Sequence, residues 1–315
     1  MSRFRSGLSL CLSLLLLMSA GAVSAATLSV DCGRKGGALS SIGGALKILQ
    51  HVPGPNTINV SGSCNEDIVI QSMDHLTLNA LDGASINDPS LGANVTVVIE
   101  DSRDVAINNF VVNGYAAGTS GNDVVQCLDA SVCRFSNDTV QNAPQGGGIT
   151  AYSGSYVDIE GGVLQNNSSW VGLAAIRSAR VRAQGVTLRS NWRGAVVAEG
   201  GHLQLNGSTI ANNTDMGIMV RGGATLSCNA CTVSGNGSHG INVEENSAAT
   251  VSANSIVTGN AGAGINLTNL SSASFWDGTL SATGNNGGQG DIVCNPKYTT
   301  TFGSPATVGK IVNCP

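Results

Sequence analysis

Apolar residues recur along this chain with a period of 22 to 24 residues. Each period contains a glycine followed by a short alternating segment, in which the first and third residues point one way and the middle residue the other. The segments are Gly148-Ile-Thr-Ala, Gly172-Leu-Ala-Ala, Gly194-Ala-Val-Val, Gly217-Ile-Met-Val, Gly240-Ile-Asn-Val and Gly264-Ile-Asn-Leu. The alternation predicts a short strand with one buried face in every period.

Two more apolar segments repeat at the same period. The second is Val157-Asp-Ile, Val181-Arg-Ala and Leu203-Gln-Leu, and its alignment slips by about one residue near Leu226. The third begins with threonine, at Thr139, Thr187, Thr209 and Thr232. Threonine suits an outward strand position because its branched side chain favours extended backbone. Each period therefore contains three predicted strands.

A polar turn closes each period and ends at an asparagine. These asparagines are Asn167, Asn191, Asn213, Asn236, Asn260 and Asn285. Stacked amides can bond to the backbone and to one another, and asparagine tolerates the left-handed conformation of sharp turns. Three strands and a turn make one rung of a triangular coil, and a rung buries its apolar face only by stacking on its neighbours.

The predicted fold is all-β, a right-handed parallel β-helix solenoid with a short N-terminal capping helix. A left-handed β-helix usually shows a hexapeptide repeat, which is absent here, and a propeller blade needs about 40 residues. Leu39, Ile42, Leu46 and Leu49 fall at helical spacing and predict the capping helix. The predicted divisions are a signal peptide (1–25), an N-terminal cap (26–52), β-helix rungs (53–290) and a C-terminal cap (291–315).

The first 25 residues have the layout of a secretory signal peptide. Arg3 and Arg5 precede an apolar run from Leu8 to Met18, and small residues ending at Ala25 follow. The run is shorter than the ~20 residues of a membrane-spanning helix, which disfavours a membrane anchor. No later segment is apolar enough to span a bilayer. The predicted location is secreted or periplasmic.

Removal of the signal peptide would leave eight cysteines, an even number that suggests disulfides in an exported protein. Their placement predicts the pairs Cys32 with Cys64, Cys127 with Cys133, Cys228 with Cys231, and Cys294 with Cys314. The last pair would tie the C-terminal cap. The alternative for Cys228-Asn-Ala-Cys231 is half of a zinc site, but the chain supplies neither a second such pair nor neighbouring histidines. No metal and no cofactor are predicted.

Signal cleavage would remove two of the 15 basic residues and none of the 20 acidic ones, leaving a formal charge of −7. This acidic balance argues against nucleic acid as a partner. The mature chain is expected to be a monomer with no membrane span.

The Gly-Ile-x-Val and Thr-x-x-x-Asn periodicity resembles the right-handed parallel β-helix (pectate-lyase-like) superfamily, which includes pectate lyases, polygalacturonases and alginate epimerases. The resemblance covers roughly residues 57–285. It implies the solenoid fold and makes carbohydrate polymers the expected ligands. Within it, Gly237-Ser-His239-Gly240 is similar to the Gly-His-Gly segment of polygalacturonases. Their paired Asp-Asp is absent, and glycoside hydrolysis requires two carboxyl groups.

A β-helix ligand lies along an outer face, so residues at equivalent places on successive rungs are informative. Two positions before the repeated glycine stand Trp170, Trp192 and Asp215, and one position before it stand Arg193 and His239. Aromatic surfaces one rung apart, about 4.8 Å, suit a sugar chain. The alternative is that the two tryptophans merely stack beside a turn.

A group of charged residues follows the same strand at Arg177, Glu199, Arg221 and Glu244. Six of the 13 mature basic residues lie between Arg177 and Arg221, and only two acids lie among them. Such a basic group could hold a uronate polymer, because guanidinium pairs well with carboxylate. Alternating charges are equally typical of an ordinary solvated face. The predicted substrate-binding residues are Trp170, Trp192, Arg177 and Arg193. The candidate catalytic residues are Arg193, Asp215, His239, Glu199, Arg221 and Glu244.

Two functions fit this sequence. The first is an exported β-helix that binds or processes polysaccharide, with an acidic, uronate-containing polymer as one candidate. If it is an enzyme, it is a polysaccharide lyase, an epimerase or a glycoside hydrolase, although no motif identifies the reaction. The alternative is a non-catalytic surface, adhesive or structural module. The first requires Trp170, Trp192 and Arg193 to share an exposed groove with a carboxylate, whereas the second predicts buried or dispersed tryptophans.

Overall fold

The computed structural model describes residues 25–34, 36–115, 117, 122–143, 145–276, 280–294, 300–303 and 307–314. The predicted signal peptide, apart from Ala25, lies outside the described residues. The chain is an all-β parallel solenoid of about ten turns, with little helix. Every strand pairs in parallel with its equivalents one turn away, so three long sheets run along the solenoid.

Sheet A has twelve strands. They are β1 (Thr27–Asp31), β2 (Asn56–Ser61), β5 (Asp74–Ala80), β8 (Arg103–Asn108), β11 (Val132–Ser136), β14 (Tyr156–Glu160), β17 (Arg180–Gln184), β20 (His202–Asn206), β23 (Thr225–Asn229), β26 (Ala248–Ser252), β29 (Ser272–Phe275) and β32 (Thr300–Phe302). The predicted slip near Leu226 is wrong, because Leu203 pairs with Leu226 at the regular spacing. Leu226 and Cys228 point into the core, while Thr225 is exposed.

Sheet B has eleven strands in the part of the chain that the structure describes. They are β3 (Ser63–Asn65), β6 (Ser85–Asn87), β9 (Val111–Asn113), β12 (Thr139–Gln141), β15 (Val163–Gln165), β18 (Thr187–Arg189), β21 (Thr209–Ala211), β24 (Thr232–Ser234), β27 (Ile256–Thr258), β30 (Ser281–Thr283) and β33 (Thr307–Val308). Thr187, Thr209 and Thr232 pair in register, as the repeat predicts, and each is only partly buried.

Sheet C also has eleven strands. They are β4 (Ile68–Gln71), β7 (Val97–Glu100), β10 (Val125–Cys127), β13 (Ile149–Ala151), β16 (Val171–Ile176), β19 (Arg193–Ala198), β22 (Ile218–Val220), β25 (Ile241–Val243), β28 (Ile265–Leu267), β31 (Ile292–Cys294) and β34 (Ile311–Val312). The apolar segments that follow the repeated glycines form these strands. Their inward residues join those of sheets A and B in one continuous core.

The predicted asparagine ladder forms at the corner between sheets B and C. Asn213 is buried, and its backbone and side-chain amides both donate to Oδ1 of Asn236, over 3.1 and 2.9 Å. The same pattern joins Asn167 through Asn285 in sequence. The ladder ends at the buried carboxylate of Asp291, which accepts both donors of Asn285 over 2.9 Å. Each buried amide is therefore satisfied by the next turn.

The left-handed residue of each turn stands immediately before the ladder asparagine. Examples are Asn212 (φ 55°) before Asn213 and Gly235 (φ 64°) before Asn236. The expectation that the ladder asparagines themselves adopt this conformation is wrong, because none of them has a positive φ. Their contribution is hydrogen bonding, while the preceding asparagine, serine or glycine makes the turn.

The repeated glycines are required by the closeness of successive turns at this corner. A Cβ atom on Gly217 would lie 2.5 Å from the carbonyl oxygen of Gly240 and 2.8 Å from Nδ2 of Asn236. Real Cβ atoms do not approach backbone so closely. The glycine row and the asparagine ladder are therefore one structural device, in which the absent side chains leave room for the buried amides.

One α-helix, α1 (Ile42–Leu49), lies before β2 and packs against β1, β2 and β4. Ile42, Ala45 and Leu49 are buried, so one face joins the core. Its first two amides, of Ile42 and Gly43, donate to the carboxylate of Glu66 over 2.6 and 2.9 Å, and the Ser41 hydroxyl accepts from Gly44. The segment predicted as an N-terminal cap also contains a strand, since β1 extends sheet A beyond β2.

The four predicted disulfides are present, joining Cys32 to Cys64, Cys127 to Cys133, Cys228 to Cys231 and Cys294 to Cys314. Among the described residues, no helix is long and apolar enough to cross a bilayer.

Candidate functional site

Sheet C differs from an ordinary solvated sheet because the middle of its outer surface is apolar. All six residues of β16 are buried, although only alternate ones point into the core. The outward side chains form a second apolar cluster, separate from the interior. Its buried members are Val171, Ala174, Ile176, Val196, Ala198 and Met219, and Tyr152, Trp170 and Met216 pack against them. We call this cluster the outer apolar strip.

The outer apolar strip belongs to a larger surface, which we call the sheet C face. It comprises the outer surface of β10, β13, β16, β19, β22 and β25 with their flanking residues, namely 122–130, 146–154, 170–178, 192–200, 215–223 and 238–246. The face spans six turns, about 24 Å between the first and last strands at ~4.8 Å per turn. All the predicted site residues lie on it.

Trp170, Trp192 and Asp215 occupy equivalent places on three successive turns. The Arg193 amide donates to the Trp170 carbonyl over 3.0 Å, and the Asp215 amide donates to the Trp192 carbonyl over 2.7 Å. Both tryptophans are half-buried, with part of each ring in solvent. Trp170 packs on the outer apolar strip. The sequence prediction of two aromatic residues side by side on one face agrees with this placement.

Arg193 contacts Trp192 and Asp215 at the same time. Its guanidinium carbon lies 4.2 Å from the Trp192 ring centroid, and its Nε donates to Oδ2 of Asp215 over 2.8 Å. Only about a fifth of either charged side chain is exposed. The cation is thus held between an aromatic face and a carboxylate, an arrangement that fixes the ring orientation.

His239 lies one turn beyond Met216 on the same row. Its Nδ1 accepts a hydrogen bond from the Ala263 amide over 3.0 Å, so the proton of a neutral imidazole is on Nε2. Burial lowers the pKa of His239 below its ordinary value of 6.5, while Asp215 and the Ala263 hydrogen bond oppose that shift. The ring is therefore a neutral donor at physiological pH. The lone pair on Nδ1 already accepts the hydrogen bond from Ala263.

The remaining predicted residues lie along the far edge of the face, where the strands end. Arg177 and Glu199 form an ion pair over 3.2 Å, with more than half of each side chain exposed. Arg221 is exposed on the next turn, and Glu244 follows one turn later and accepts from Asn242 over 3.2 Å. These residues are separated from Arg193 and Asp215 by the length of the strand.

The run of basic residues in the sequence does not form one patch. Arg180 and Arg182 belong to β17 in sheet A, and Arg189 ends β18 in sheet B. Arg182 pairs with Asp158 of its own sheet over 3.1 Å. Only Arg177, Arg193 and Arg221 of the six lie on the sheet C face, because a stretch of 45 residues passes through all three sheets about twice.

Asp123 is a residue of the sheet C face that sequence reasoning missed. It occupies the row of Arg193 and His239, three turns before Arg193, and is almost fully buried. Its carboxylate accepts from the Gly147 amide over 2.6 Å and from the Gln126 amide over 2.8 Å. Burial raises its pKa, and these two donors oppose the rise. Extending the row backward from Arg193 at the repeat period would have found it.

Asp123 lies beside the aromatic end of the outer apolar strip. The position of a Cβ atom on Gly147 would be 3.0 Å from each of Asp123 Oδ1, Thr150 Oγ1 and Trp170 Cε3. Among the described residues, the buried Thr150 hydroxyl has no hydrogen-bond partner. Burial raises the pKa of the nearby Tyr152 hydroxyl, which stays neutral. Polar and aromatic groups therefore converge at this end of the face.

A second signal was also missed. Asn213-Thr214-Asp215 spells the Asn-Thr-Asp motif of polygalacturonases, and Asp215 lies one turn from His239 of the Gly-His-Gly-like segment. In this structure Asn213 is a ladder residue and Asp215 is paired with Arg193. Asp215 and His239 together supply one carboxyl group, whereas glycoside hydrolysis requires two.

Stacked parallel turns, an asparagine ladder and an outer ligand-sized surface define a parallel β-helix protein. The sequence pattern of the family described as "Right handed beta helix region" matches residues 96–280, more than half of the chain. The chain belongs to this right-handed β-helix family. No curated protein sequence matches it.

Two solved structures are similar in fold. One is the enzymatically active domain of tailspike protein 2 from bacteriophage CBA120, with a TM-score of 0.57 and 11% identity over 90% of this chain. This chain spans about half (51%) of that domain's length. The other is the A-module of mannuronan C-5 epimerase AlgE4 from Azotobacter vinelandii, with a TM-score of 0.56 and 11% identity, covering 86% of this chain and 92% of that module. At such identity the likeness shows the fold alone.

Proposed function

We propose that this protein binds polysaccharide along the sheet C face. The observation that carries the proposal is the outer apolar strip with Trp170 and Trp192 half-exposed on neighbouring turns. The C–H faces of sugar rings pack on such aromatic surfaces, and flanking polar groups accept hydroxyls. A neighbour with the same fold is named for its action on mannuronan, which supports a glycan ligand by analogy of fold.

Binding fits the geometry better than a specific reaction does. Arg193 and Asp215 neutralise each other, and His239 can donate from Nε2 but cannot accept through Nδ1. A lyase or epimerase needs a free base beside the sugar carbon that loses its proton. The proposed role of Arg193 and Asp215 is to hold the Trp192 ring in place. The non-catalytic adhesive module remains the second candidate and shares this glycan-binding surface.

Tryptophan substitutions test the proposal. Trp192→Ala and Trp170→Ala should each weaken glycan binding by at least about tenfold, since each removes a ring that contacts the sugar. Trp276→Ala is the matched control, because Trp276 is exposed and directly follows β29 of sheet A, away from the face. A glycan array and isothermal titration on the mature protein provide the measurement, and thermal unfolding verifies that each variant folds. Unaltered binding in both Trp170 and Trp192 variants would remove the site.

Export is the second part of the proposal. The four disulfides and the lack of a membrane-spanning helix in the described residues support a periplasmic or extracellular location, because disulfides persist in oxidising compartments. Expression of the full chain followed by mass spectrometry of the exported fraction tests it. The expected mature protein begins at Ala26 and has no free thiol.

We also propose that α1 closes the N-terminal end of the solenoid. Its buried face and the two hydrogen bonds from its first turn to Glu66 support this role. Glu66→Ala should destabilise the protein by about 1–3 kcal/mol, because it leaves two amides of a helix end without a partner. Faster hydrogen exchange in β2 and β4, with unchanged exchange in β25, would be the specific signature of an opened end.

A further inference from the structure

The sheet C face carries more negative than positive groups. Its residues include six carboxylic acids, at Asp123, Asp129, Glu199, Asp215, Glu244 and Glu245, and three arginines, at Arg177, Arg193 and Arg221. His239 adds no charge, because burial lowers its pKa. The face that appears basic in the linear sequence is therefore acidic in three dimensions, since half of the arginines lie on other sheets.

Two of the three arginines already have carboxylate partners on the face. Arg193 is held by Asp215 at 2.8 Å and covered on one side by Trp192, so it is not available to an incoming anion without losing that pair. Arg177 is paired with Glu199. Arg221 stands one turn from Glu244, which occupies the equivalent position on the next strand. A polymer with one carboxylate per sugar would therefore meet two arginines that are already paired and two exposed acids, Asp129 and Glu245.

The two ends of the face suit uncharged hydroxyl groups. At the first end, the buried Asp123 carboxylate and the Thr150 hydroxyl lie beside Trp170, and the Thr150 hydroxyl has no partner among the described residues. At the other end, the His239 Nε2 proton can donate to a hydroxyl oxygen. The outer apolar strip joins the two ends, and burying a charged sugar against it would cost desolvation without a compensating cation.

From these charges we infer that the ligand of the sheet C face is a neutral polysaccharide rather than a uronate polymer, an inference that rests on the proposed function. The face selects for uncharged sugars because two of its three arginines are paired within the face and its acids outnumber its arginines and repel carboxylates. The arginines that suggest an acidic ligand in the linear sequence are divided among three sheets.

Matched oligosaccharides test this inference. The probes are pairs of equal length and linkage that differ only at C6, namely manno- and mannuronate, gluco- and glucuronate, and galacto- and galacturonate oligomers. The neutral member of the bound pair should bind about tenfold tighter than the uronate member at low salt. This affinity gap, the ratio of the two affinities, should shrink at about 0.5 M salt, where charge repulsion is screened. A uronate member that binds as tightly or more tightly overturns the inference.

Releasing Arg193 gives a second test. Asp215→Asn frees the guanidinium and removes one negative charge, so the uronate member should gain at least about fivefold in affinity and the gap should narrow. Glu245→Gln removes an exposed acid from the same face and should reduce the affinity gap between neutral and uronate oligosaccharides. Because Glu245 is exposed, this substitution leaves the core unchanged. Glu160→Gln, on sheet A, makes the same charge change elsewhere and should leave the gap unchanged.

The outcomes separate the two proposals. Loss of binding in the tryptophan variants together with tighter uronate binding would retain the glycan site and reject neutral selectivity. Failure of every probe to bind would remove the polysaccharide function itself. Equal effects of Glu160→Gln and Glu245→Gln would show that only overall charge matters and would reject selection by this face.

Discussion

Arg193 and Asp215 lie on successive turns of the solenoid, and the Nε of Arg193 donates to Oδ2 of Asp215 over 2.8 Å. The same guanidinium lies 4.2 Å from the centroid of the Trp192 ring. One cation therefore ties together an aromatic side chain and an acid that the sequence places 23 residues apart. The pair is mostly shielded from water, so its attraction is screened less than that of an exposed pair.

Arg193→Ala should lower the free energy of unfolding by about 1–3 kcal/mol. The substitution leaves Asp215 without its partner and removes the packing over Trp192. Urea unfolding followed by far-UV circular dichroism measures the change. A shift in the tryptophan emission of the native state should accompany it, because the Trp192 ring loses its cover.

Arg177→Ala is the matched control for this prediction. The Arg177–Glu199 pair has the same chemistry but more than half of each side chain is exposed, so its loss should cost less than about 1 kcal/mol. If the two variants lose equal stability, burial is not what distinguishes the pairs.

Asn213→Ala should be among the most destabilising single changes in the solenoid, by at least about 3 kcal/mol. It removes the acceptor of both Asn191 donors and the donors to Asn236 and Leu188, leaving several buried polar groups unpaired. Asn212→Gly provides the control at the adjacent residue. Its φ of 55° and the glycine at the equivalent Gly235 position predict a change of less than about 0.5 kcal/mol.

Asp138 should make stability depend on pH. Burial raises its pKa from 3.8 to about 8, although the Phe110 and Ser136 amides donate to it and oppose the rise. Between these two values the folded protein holds a proton that the unfolded chain has released. The contribution is therefore complete below about pH 4 and is lost as pH rises toward 8, by up to about 1.4 kcal/mol per pH unit.

Unfolding of the wild type and Asp138→Asn in urea at pH 5 and pH 8.5 tests this dependence. The wild type should lose more stability than the variant between the two pH values, since the asparagine cannot ionise. Parallel pH profiles would place the ionised carboxylate in the folded state, stabilised by its two backbone donors.

His239 should titrate below its ordinary pKa of 6.5. Its burial opposes protonation, and a proton on Nδ1 would break the hydrogen bond from Ala263. Its folded pKa is lowered, so stability should fall as pH drops below about 6.5. Nuclear magnetic resonance titration of the imidazole Cε1–H signal, assigned with His239→Gln, measures it directly. A midpoint above 6.5 would contradict the neutral-donor assignment.

Sequence periodicity was sufficient to predict the rungs, because equivalent positions carry the same residue types in successive turns. Gly194, Gly217 and Gly240 mark the strand starts, and Asn191, Asn213 and Asn236 form the ladder where the repeat places them. In a solenoid each turn packs only on its neighbours, so the structure of one repeat defines the fold of the whole stack. The equivalence of Trp170 and Trp192 followed from the same spacing, as did the cysteine pairs from their positions in the chain.

Two features did not follow from the linear pattern. The arginines between Arg177 and Arg221 are close in sequence but lie on three sheets. The pairing of Arg193 with Asp215 depends on side-chain orientation across a turn boundary. The charge distribution and the burial on an outer face depend on the sheet to which each residue belongs and on whether its side chain points inward or outward.

The sequence by itself determined the solenoid, its period, its ladder and its disulfides, because these depend on which residue types recur at which spacing. Only the tertiary structure decided which charges share a surface and which are already paired. The physical reason is that electrostatic interactions depend on distance in space and on exposure to water, and in a coil of three sheets neighbours along the chain point away from one another.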